Sequence, residues 1–319
     1  MSDQNNTPTQ SEKPTVQTWQ AQPPSSPKSV FANYRAEFHN TTNQITATDA
    51  APLHCNSAAI SDDTDSAALA MARSFIWRFL AEAFADPTDD GLEWLRSKAT
   101  LDTLLSASRM LDETANTNLT AQAATVAYSL ALETIDSRKM AAATLFGHSE
   151  RGPCPRNETE YGRPNASPMF QPHILADLAA FYRVFGLELT GNACERHDHF
   201  SIELEFMAVL SAKEAHALAS SLDEQAQVCR STAIKFFRDH LSQWAPAMLQ
   251  RIIKMDAGTW KYLAQLAAAF LAAEAARMKV PLGSDALPLI PIEPDINFSC
   301  ASCGTGGSLF NEPHLSSSP

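Results

Sequence analysis

Five consecutive ionisable side chains precede an apolar helical pattern in the middle of the chain. They are Glu195, Arg196, His197, Asp198 and His199, in the stretch ERHDHFSIELEFMAVL. A histidine beside a carboxylate can act in acid–base catalysis, but no nucleophile or pair of oxyanion donors accompanies it here. Two histidines that are separated by one residue point to different sides once a helix begins, which disfavours a shared metal ion. The cluster therefore predicts either a helix start or a recognition site.

As a helix start, the cluster has the expected residue types. Asp198 is a good N-cap residue, and Glu195 suits the positive end of a helix dipole. The buried face predicted behind them consists of Ile202, Phe206, Val209 and Leu210. As a recognition site, a helix start flanked by carboxylates and histidines can bind a cationic peptide through charge-assisted hydrogen bonds.

Cys300 and Cys303 form a CxxC motif near the C-terminus, the spacing with which a loop holds zinc or an iron–sulfur cluster. One pair supplies only two of the four ligands of structural zinc, so these thiols are weak metal candidates. The other cysteines are Cys55, Cys154, Cys194 and Cys229. Six cysteines in 319 residues are too sparse for a disulfide scaffold and predict a reducing compartment.

Motifs of common enzyme classes are absent from the sequence. There is no HExxH, GxSxG or GxxxxGK[ST], and the GTGG at 304–307 follows no predicted strand. We therefore expect neither catalytic residues nor a bound cofactor.

The composition favours a helical protein with a sizeable core. Hydrophobic residues make up 45% and charged residues 19%, while glycine occurs only 11 times. A net charge of −12 disfavours nucleic acid and suits a basic ligand or peptide. The N-terminus lacks a signal-peptide pattern, and Glu274 interrupts the densest apolar run. We expect a cytoplasmic protein without membrane insertion.

Apolar residues recur at helical spacing from residue 61 to residue 280, without β alternation or internal repeats. This pattern predicts a single all-α domain of about nine to ten helices. Pro87 and Gly147 are predicted to end helices, and Pro246 is predicted in the first turn of another.

Three segments are predicted to lie outside the helices. Residues 1–60 are polar and predict a disordered N-terminal extension, and residues 281–319 predict an irregular C-terminal tail that carries the CxxC. Within the domain, residues 148–168 (HSERGPCPRNETEYGRPNASP) contain four prolines and form the one long loop. Loops of this length in a compact domain are usually functional or disordered.

Two motifs on consecutive predicted helices resemble the TorD/DmsD/NarJ family of redox-enzyme maturation chaperones. The stretches HILADLAAFYRVFGLE and ERHDHFSIELEFM are similar to the family patterns ADhxxFYxAFGhE and ERxDHhxxEhEFM, where h is apolar. The loop LFGHSERGPCPRNETEYG resembles the family's proline-rich loop, and ARSFIWRFLAEAFADP its first helix. The resemblance covers about residues 66–275, and the loop is most similar to the branch serving relatives of dimethyl sulfoxide reductase.

This resemblance implies a TorD-like helical bundle that acts as a chaperone and not as an enzyme. Such proteins bind the apo form of a molybdopterin-dependent oxidoreductase in the cytoplasm, through its twin-arginine leader or its body. They hold this catalytic subunit until its cofactor is inserted, before export. A leader with two arginines and an apolar segment suits an acidic receptor with an apolar groove. Both a monomer and a homodimer remain open.

The resemblance also implies which residues contact the leader. Asp198 and His199 match the family's Asp-His pair, and Glu195 and Arg196 match the residues before it. The remaining implied contacts are Pro155, Glu158 and Tyr161 in the loop and Asp177 and Tyr182 in the first motif.

The chain departs from the family patterns at two places. Arg156 and Asn157 stand where a proline and an aromatic residue are usual, and His197 replaces a proline. The first departure bears on which leader is preferred, because it changes the apolar wall of the loop.

Two alternatives to a chaperone remain open at this point. One is a metal- or redox-active protein that uses Cys300 and Cys303, with Cys154 or Cys194. The other is a structural adaptor that binds a folded oxidoreductase subunit and ignores the leader.

Overall fold

The structure, a computed structural model, describes residues 57–115, 117–148, 151–162, 171–189 and 195–291. These residues form ten α-helices and one short 3-10 helix, Glu158–Glu160, and contain no β-strand. The predicted all-α class is therefore confirmed. The helices are α1 (Ser57–Phe84), α2 (Asp89–Arg96), α3 (Lys98–Ala115), α4 (Leu119–Leu132), α5 (Ile135–Phe146), α6 (Gln171–Val184), α7 (Phe200–Ala219), α8 (Asp223–Asp239), α9 (Leu241–Met255) and α10 (Thr259–Met278).

Parts of the predicted extensions lie outside the described residues. These parts are residues 1–56 and residues 292–319, the latter including Cys300 and Cys303. Residues 281–291, assigned to the tail by composition, are described and run back over the helices without forming one. None of the described helices is long and apolar enough to cross a membrane.

The central pair of helices is α1 and α7, which run antiparallel. Ser74 Oγ donates to the carbonyl oxygen of Ala208 at 2.8 Å, whereas the rings of Phe84 and Phe200 lie 5.0 Å apart at the opposite end. The four residues predicted for the inner face of α7 are all buried. That prediction was too narrow, however, because every residue from Phe200 to Ala212 is buried.

Two helix ends follow the local signals in the sequence. α1 ends at Phe84, three residues before Pro87. Gly147 is the C-cap of α5 with a φ of 87°, a left-handed conformation that glycine adopts without the penalty of a Cβ atom.

The prediction for Pro246 was wrong. α9 begins at Leu241, so Pro246 lies inside the helix. A proline at this position cannot donate to the carbonyl of Ser242, four residues earlier. The N–H of Gly283 donates to that carbonyl at 2.7 Å and satisfies it. A Cβ at Gly283 would lie 2.5 Å from the carbonyl oxygen of Gln243, so only glycine permits this approach.

Candidate functional site

The proline-rich loop folds back onto the end of α5. The N–H of Gly152 donates to the carbonyl of Phe146, and that of Cys154 to the carbonyl of Leu145, both at 2.9 Å. A Cβ at Gly152 would lie 2.4 Å from Gly147 N. The contact with α5 therefore needs glycine at this position.

The same loop is hydrogen-bonded along its backbone to the start of α7. Glu158 N–H donates to the carbonyl of Asp198 at 2.9 Å, and Phe200 N–H donates to the carbonyl of Arg156 at 2.8 Å. Asn157 and His199 form an antiparallel bridge between these bonds. The two sequence features singled out above, the loop and the ionisable cluster, are thus neighbours.

Asp198 is fully buried and ties the loop to the cluster through its carboxylate. It accepts hydrogen bonds from Thr159 N at 3.1 Å and Thr159 Oγ1 at 2.7 Å. Arg196 donates from Nε at 3.0 Å and from a terminal nitrogen at 2.9 Å. A buried carboxylate is tolerated when its charge is paired and its oxygens are hydrogen-bonded in this way.

His199, and not Asp198, is the N-cap of α7. Its Nδ1 accepts from Ser201 N at 3.3 Å and lies 2.7 Å from Ser201 Oγ. Burial lowers the pKa of His199 well below 6.5, and the nearby Arg156 guanidinium lowers it further. The ring is therefore neutral at physiological pH. The N-cap assignment of Asp198 was wrong because the backbone bond to Glu158 keeps that residue outside the helix.

His240, which the sequence motifs do not include, joins the loop to α6. Its Nδ1 lies 2.9 Å from Glu158 Oε2, and its Nε2 lies 3.2 Å from Asp177 Oδ2. The ring is buried at the junction of α8 and α9. A lone histidine between two helices gives no local sequence signal for such a contact.

Two buried tyrosines fix the remaining backbone around the site. Tyr161 OH donates to the carbonyl of Pro155, and Tyr182 OH donates to the carbonyl of His197, both at 2.8 Å. Burial raises the pKa of both phenols, so they remain neutral hydrogen-bond donors. Pro155 is itself buried.

The nine residues implied to contact a leader divide into two groups. Six are buried and support the architecture of the site: Pro155, Glu158, Tyr161, Tyr182, Asp198 and His199. Three reach solvent: the side chain of Asp177 is 53% exposed, that of Arg196 is 49% exposed, and Glu195 is partly exposed. This second group can contact a peptide that lies on the surface without a rearrangement.

α6 carries an exposed stripe next to this group. Asp177, Ala180 and Val184 are all exposed and lie three and seven residues apart, which places them on one face of the helix. Val184 is 81% exposed. An acidic group and an apolar surface therefore follow one another over about 10 Å of helix.

The residues after α10 close the other side of the loop. Gly162 N–H donates to the carbonyl of Pro288 at 2.8 Å, and Ile290 N–H donates to the carbonyl of Glu160 at 2.9 Å. Arg151 donates to the carbonyl of Ile290 at 2.7 Å. The loop is thus held on three sides, by α5, by the start of α7 and by this C-terminal strap, residues 281–291.

The loop, α6 and α7 all fall within a stretch that matches a known family. The family model described as nitrate reductase delta subunit matches residues 112–250. This stretch is thus similar to the nitrate reductase delta subunit family. The family resemblance predicted from the motifs is confirmed by this match and by the relatives of the chain.

Three curated relatives of this delta subunit stretch carry names of one kind. The perchlorate reductase assembly chaperone protein of Dechloromonas aromatica (strain RCB) is 32% identical over 36% of this chain and 50% of the relative. The selenate reductase assembly chaperone protein of Thauera selenatis is 29% identical over 42% of this chain and 65% of the relative. The chlorate reductase assembly chaperone protein of Ideonella dechloratans is 31% identical over 36% of this chain and 58% of the relative. The chain thus spans about half to two thirds of their lengths.

A solved structure shows a more distant likeness. It is described as a candidate redox enzyme maturation protein from Archaeoglobus fulgidus and is 19% identical in sequence. The match covers 63% of this chain and 93% of that chain, with a TM-score of 0.36.

Proposed function

We propose that this chain is an assembly chaperone for a molybdopterin-dependent reductase and has no catalytic activity of its own. The observation that carries the proposal is the shared description of three relatives, each named as a reductase assembly chaperone. In this role the chain would act in the cytoplasm, binding the apo catalytic subunit until its cofactor is inserted, before export.

We further propose that the twin-arginine leader of this client binds along the exposed stripe of α6. Asp177 would pair with an arginine of the leader, because a guanidinium forms strong, directional hydrogen bonds with a carboxylate. Ala180 and Val184 would contact the apolar segment that follows. The net charge of −12 adds a general attraction for a cationic peptide.

The buried group would support this surface indirectly. His240 contacts both Asp177 on α6 and Glu158 in the loop, and Glu158 is bonded to the start of α7. A change in the buried carboxylates would therefore alter the position of α6. Under this proposal Asp198 and His199 act by positioning and not by touching the leader.

The metal- or redox-active alternative gains no support from the described cysteines. Cys154 is fully buried, and burial raises its pKa to about 11. Cys229 is also buried with a raised pKa. Reactive thiols have the opposite properties, a lowered pKa and access to solvent.

Calorimetric titration with a synthetic leader, carrying two arginines followed by an apolar segment, tests the proposal. We expect Asp177→Asn to weaken binding about tenfold, since one charge-assisted contact is lost. Asp102→Asn is the matched control, because Asp102 is also exposed and pairs with a lysine, but lies on α3. Replacing both leader arginines by lysine should weaken binding to the parent chain more than to Asp177→Asn.

The experiment has two contrary outcomes. Equal affinities for the parent chain and Asp177→Asn would rule out the α6 stripe as the leader site. Equal binding of the client subunit with and without its leader would instead indicate a structural adaptor.

A further inference from the structure

A small pocket lies between the proline-rich loop, the end of α5 and the start of α7. It has a volume of about 140 Å³, which is enough for several water-sized groups. Its lining consists of Phe146, Arg151, Pro155, Arg156, Asn157, Glu160 and His199. Asp177, Ala180 and Val184, which are proposed to contact the leader, do not line this pocket.

His199 brings an unsatisfied hydrogen-bond donor to this pocket. Because Nδ1 accepts from Ser201 N–H and the ring is neutral, the single ring proton resides on Nε2. Nε2 is buried and has no hydrogen-bond partner among the described residues. An unpaired buried donor is costly, and this one belongs to a residue that lines a pocket.

Two arginines lie in the wall of the pocket. Arg151 uses one of its N–H groups on the carbonyl of Ile290, which leaves further donors on a fork that can hold a carboxylate. Arg156 donates to the carbonyl of Phe84 at 3.0 Å and to Asp86, and its guanidinium lies 4.5 Å from the centre of the Phe146 ring. Arg156 is therefore fixed by the fold, and its charge is paired with that of Asp86.

Glu160 is the acidic residue of the wall. Burial raises the pKa of its carboxyl, against the effect of a hydrogen bond from Asn157 and of the charges of Arg151 and Arg196. Because Arg156 is paired with Asp86, the charge of Arg151 is the one available to an anionic ligand, and it is least opposed when Glu160 is protonated.

We propose that this pocket binds a small carboxylate. One oxygen would accept the proton of His199 Nε2, and the other would accept from the guanidinium of Arg151. A carboxylate offers two acceptors in one plane, which suits a pocket lined by both an N–H donor and an arginine fork. The proposal does not depend on the leader site, because it uses other residues and an anionic ligand.

Acetate titration of the full chain at constant ionic strength tests this proposal. The imidazole nitrogens are followed by NMR, and the His199 signal is assigned from its loss in His199→Asn. We expect saturable binding to the parent with a Kd of the order of millimolar, as befits a ligand of four heavy atoms. The Nε2 signal of His199 should shift with the bound fraction.

Two variants and one control locate the site. His199→Asn keeps an N-cap acceptor for α7, but its shorter side chain has no N–H at the position of Nε2, and it should weaken acetate binding about tenfold. Arg151→Gln should weaken it at least as much. Arg109→Gln removes the same charge from an exposed position on α3, outside the lining, and should leave the Kd unchanged.

The source of the carboxylate is distinguished by a second titration with a capped dipeptide whose only charge is a glutamate side chain. Tighter binding than acetate would indicate a protein carboxylate, and equal or weaker binding a free small acid. The proposal is overturned if neither ligand saturates. It is equally overturned if Arg109→Gln reduces acetate binding as much as Arg151→Gln does, because the attraction would then be non-specific.

Discussion

Replacing the Asp198 carboxylate by an amide separates a positioning role from a direct contact with the client. Asp198→Asn keeps the size of the side chain and removes its charge. The carboxylate accepts from Thr159 and Arg196 in a fully buried position. The amide can retain one acceptor, but it turns an NH₂ group towards donors.

The magnitude follows from these contacts. Breaking a buried ion pair by removing one partner costs about 3–5 kcal/mol. Because the Arg196 side chain is 49% exposed, solvent screens its charge when the partner is lost. We therefore expect Asp198→Asn to lower the free energy of unfolding by roughly 2–3 kcal/mol. This corresponds to a drop of about 5–10 °C in melting temperature for a domain of this size.

Urea unfolding followed by circular dichroism gives this difference, with Asp102→Asn as the exposed control. The control should change the free energy of unfolding by less than about 0.5 kcal/mol. A second variant, Thr159→Val, removes the Oγ1 hydroxyl that donates to the Asp198 carboxylate. Its effect should not add to that of Asp198→Asn, since both disrupt the same contact.

Leader affinity measured below the unfolding transition completes the test. If Asp198 acts by positioning, Asp198→Asn should mainly lower the free energy of unfolding. The chain that remains folded should then lose less leader affinity than a variant that lacks a direct contact with the leader. An Asp198→Asn chain that is as stable as the parent but no longer binds the leader would refute this reasoning. The carboxylate would then be a direct ligand.

Three further predictions concern parts of the same framework. His199 is neutral when folded but takes up a proton near pH 6.5 when unfolded. The free energy of unfolding should therefore be highest above that pH and should decline below it by about 1.4 kcal/mol per pH unit. Urea titrations at several pH values should show a smaller slope in His199→Asn. Gly152→Ala places a Cβ against the backbone of Gly147 and should cost at least about 2 kcal/mol in urea unfolding. Asp112→Ala removes the acceptor of Leu119 N–H at 2.8 Å and Thr120 N–H at 2.9 Å at the start of α4. Thermal unfolding should show a loss of roughly 0.5–2 kcal/mol.

Features that depend on local sequence could be predicted. Apolar spacing indicated the helices, and Gly147 ends α5 with a positive φ, which glycine adopts without the penalty of a Cβ atom. Pro87 bounded α1 for a similar reason, since proline cannot continue a helix.

Features that depend on distant partners could not be predicted. Pro246 is predicted at a helix start because proline is common there. It lies inside α9 instead, since the carbonyl of Ser242 accepts from the N–H of Gly283, about forty residues away in sequence. Asp198 has the residue type of an N-cap, yet a tertiary contact with Thr159 decides its role. For the same reason, no local pattern indicates that His240 links Glu158 and Asp177.

The C-terminal strap determines when, during synthesis, the loop can reach its folded arrangement. Pro288 and Ile290 complete the hydrogen bonds of the loop at Gly162, Glu160 and Arg151. During translation these residues leave the ribosome only after all ten helices have been made. A nascent chain stalled before this point would therefore carry a full set of helices but an open loop. Under the proposed function, the client would find a complete binding surface only after synthesis has passed the last described helix.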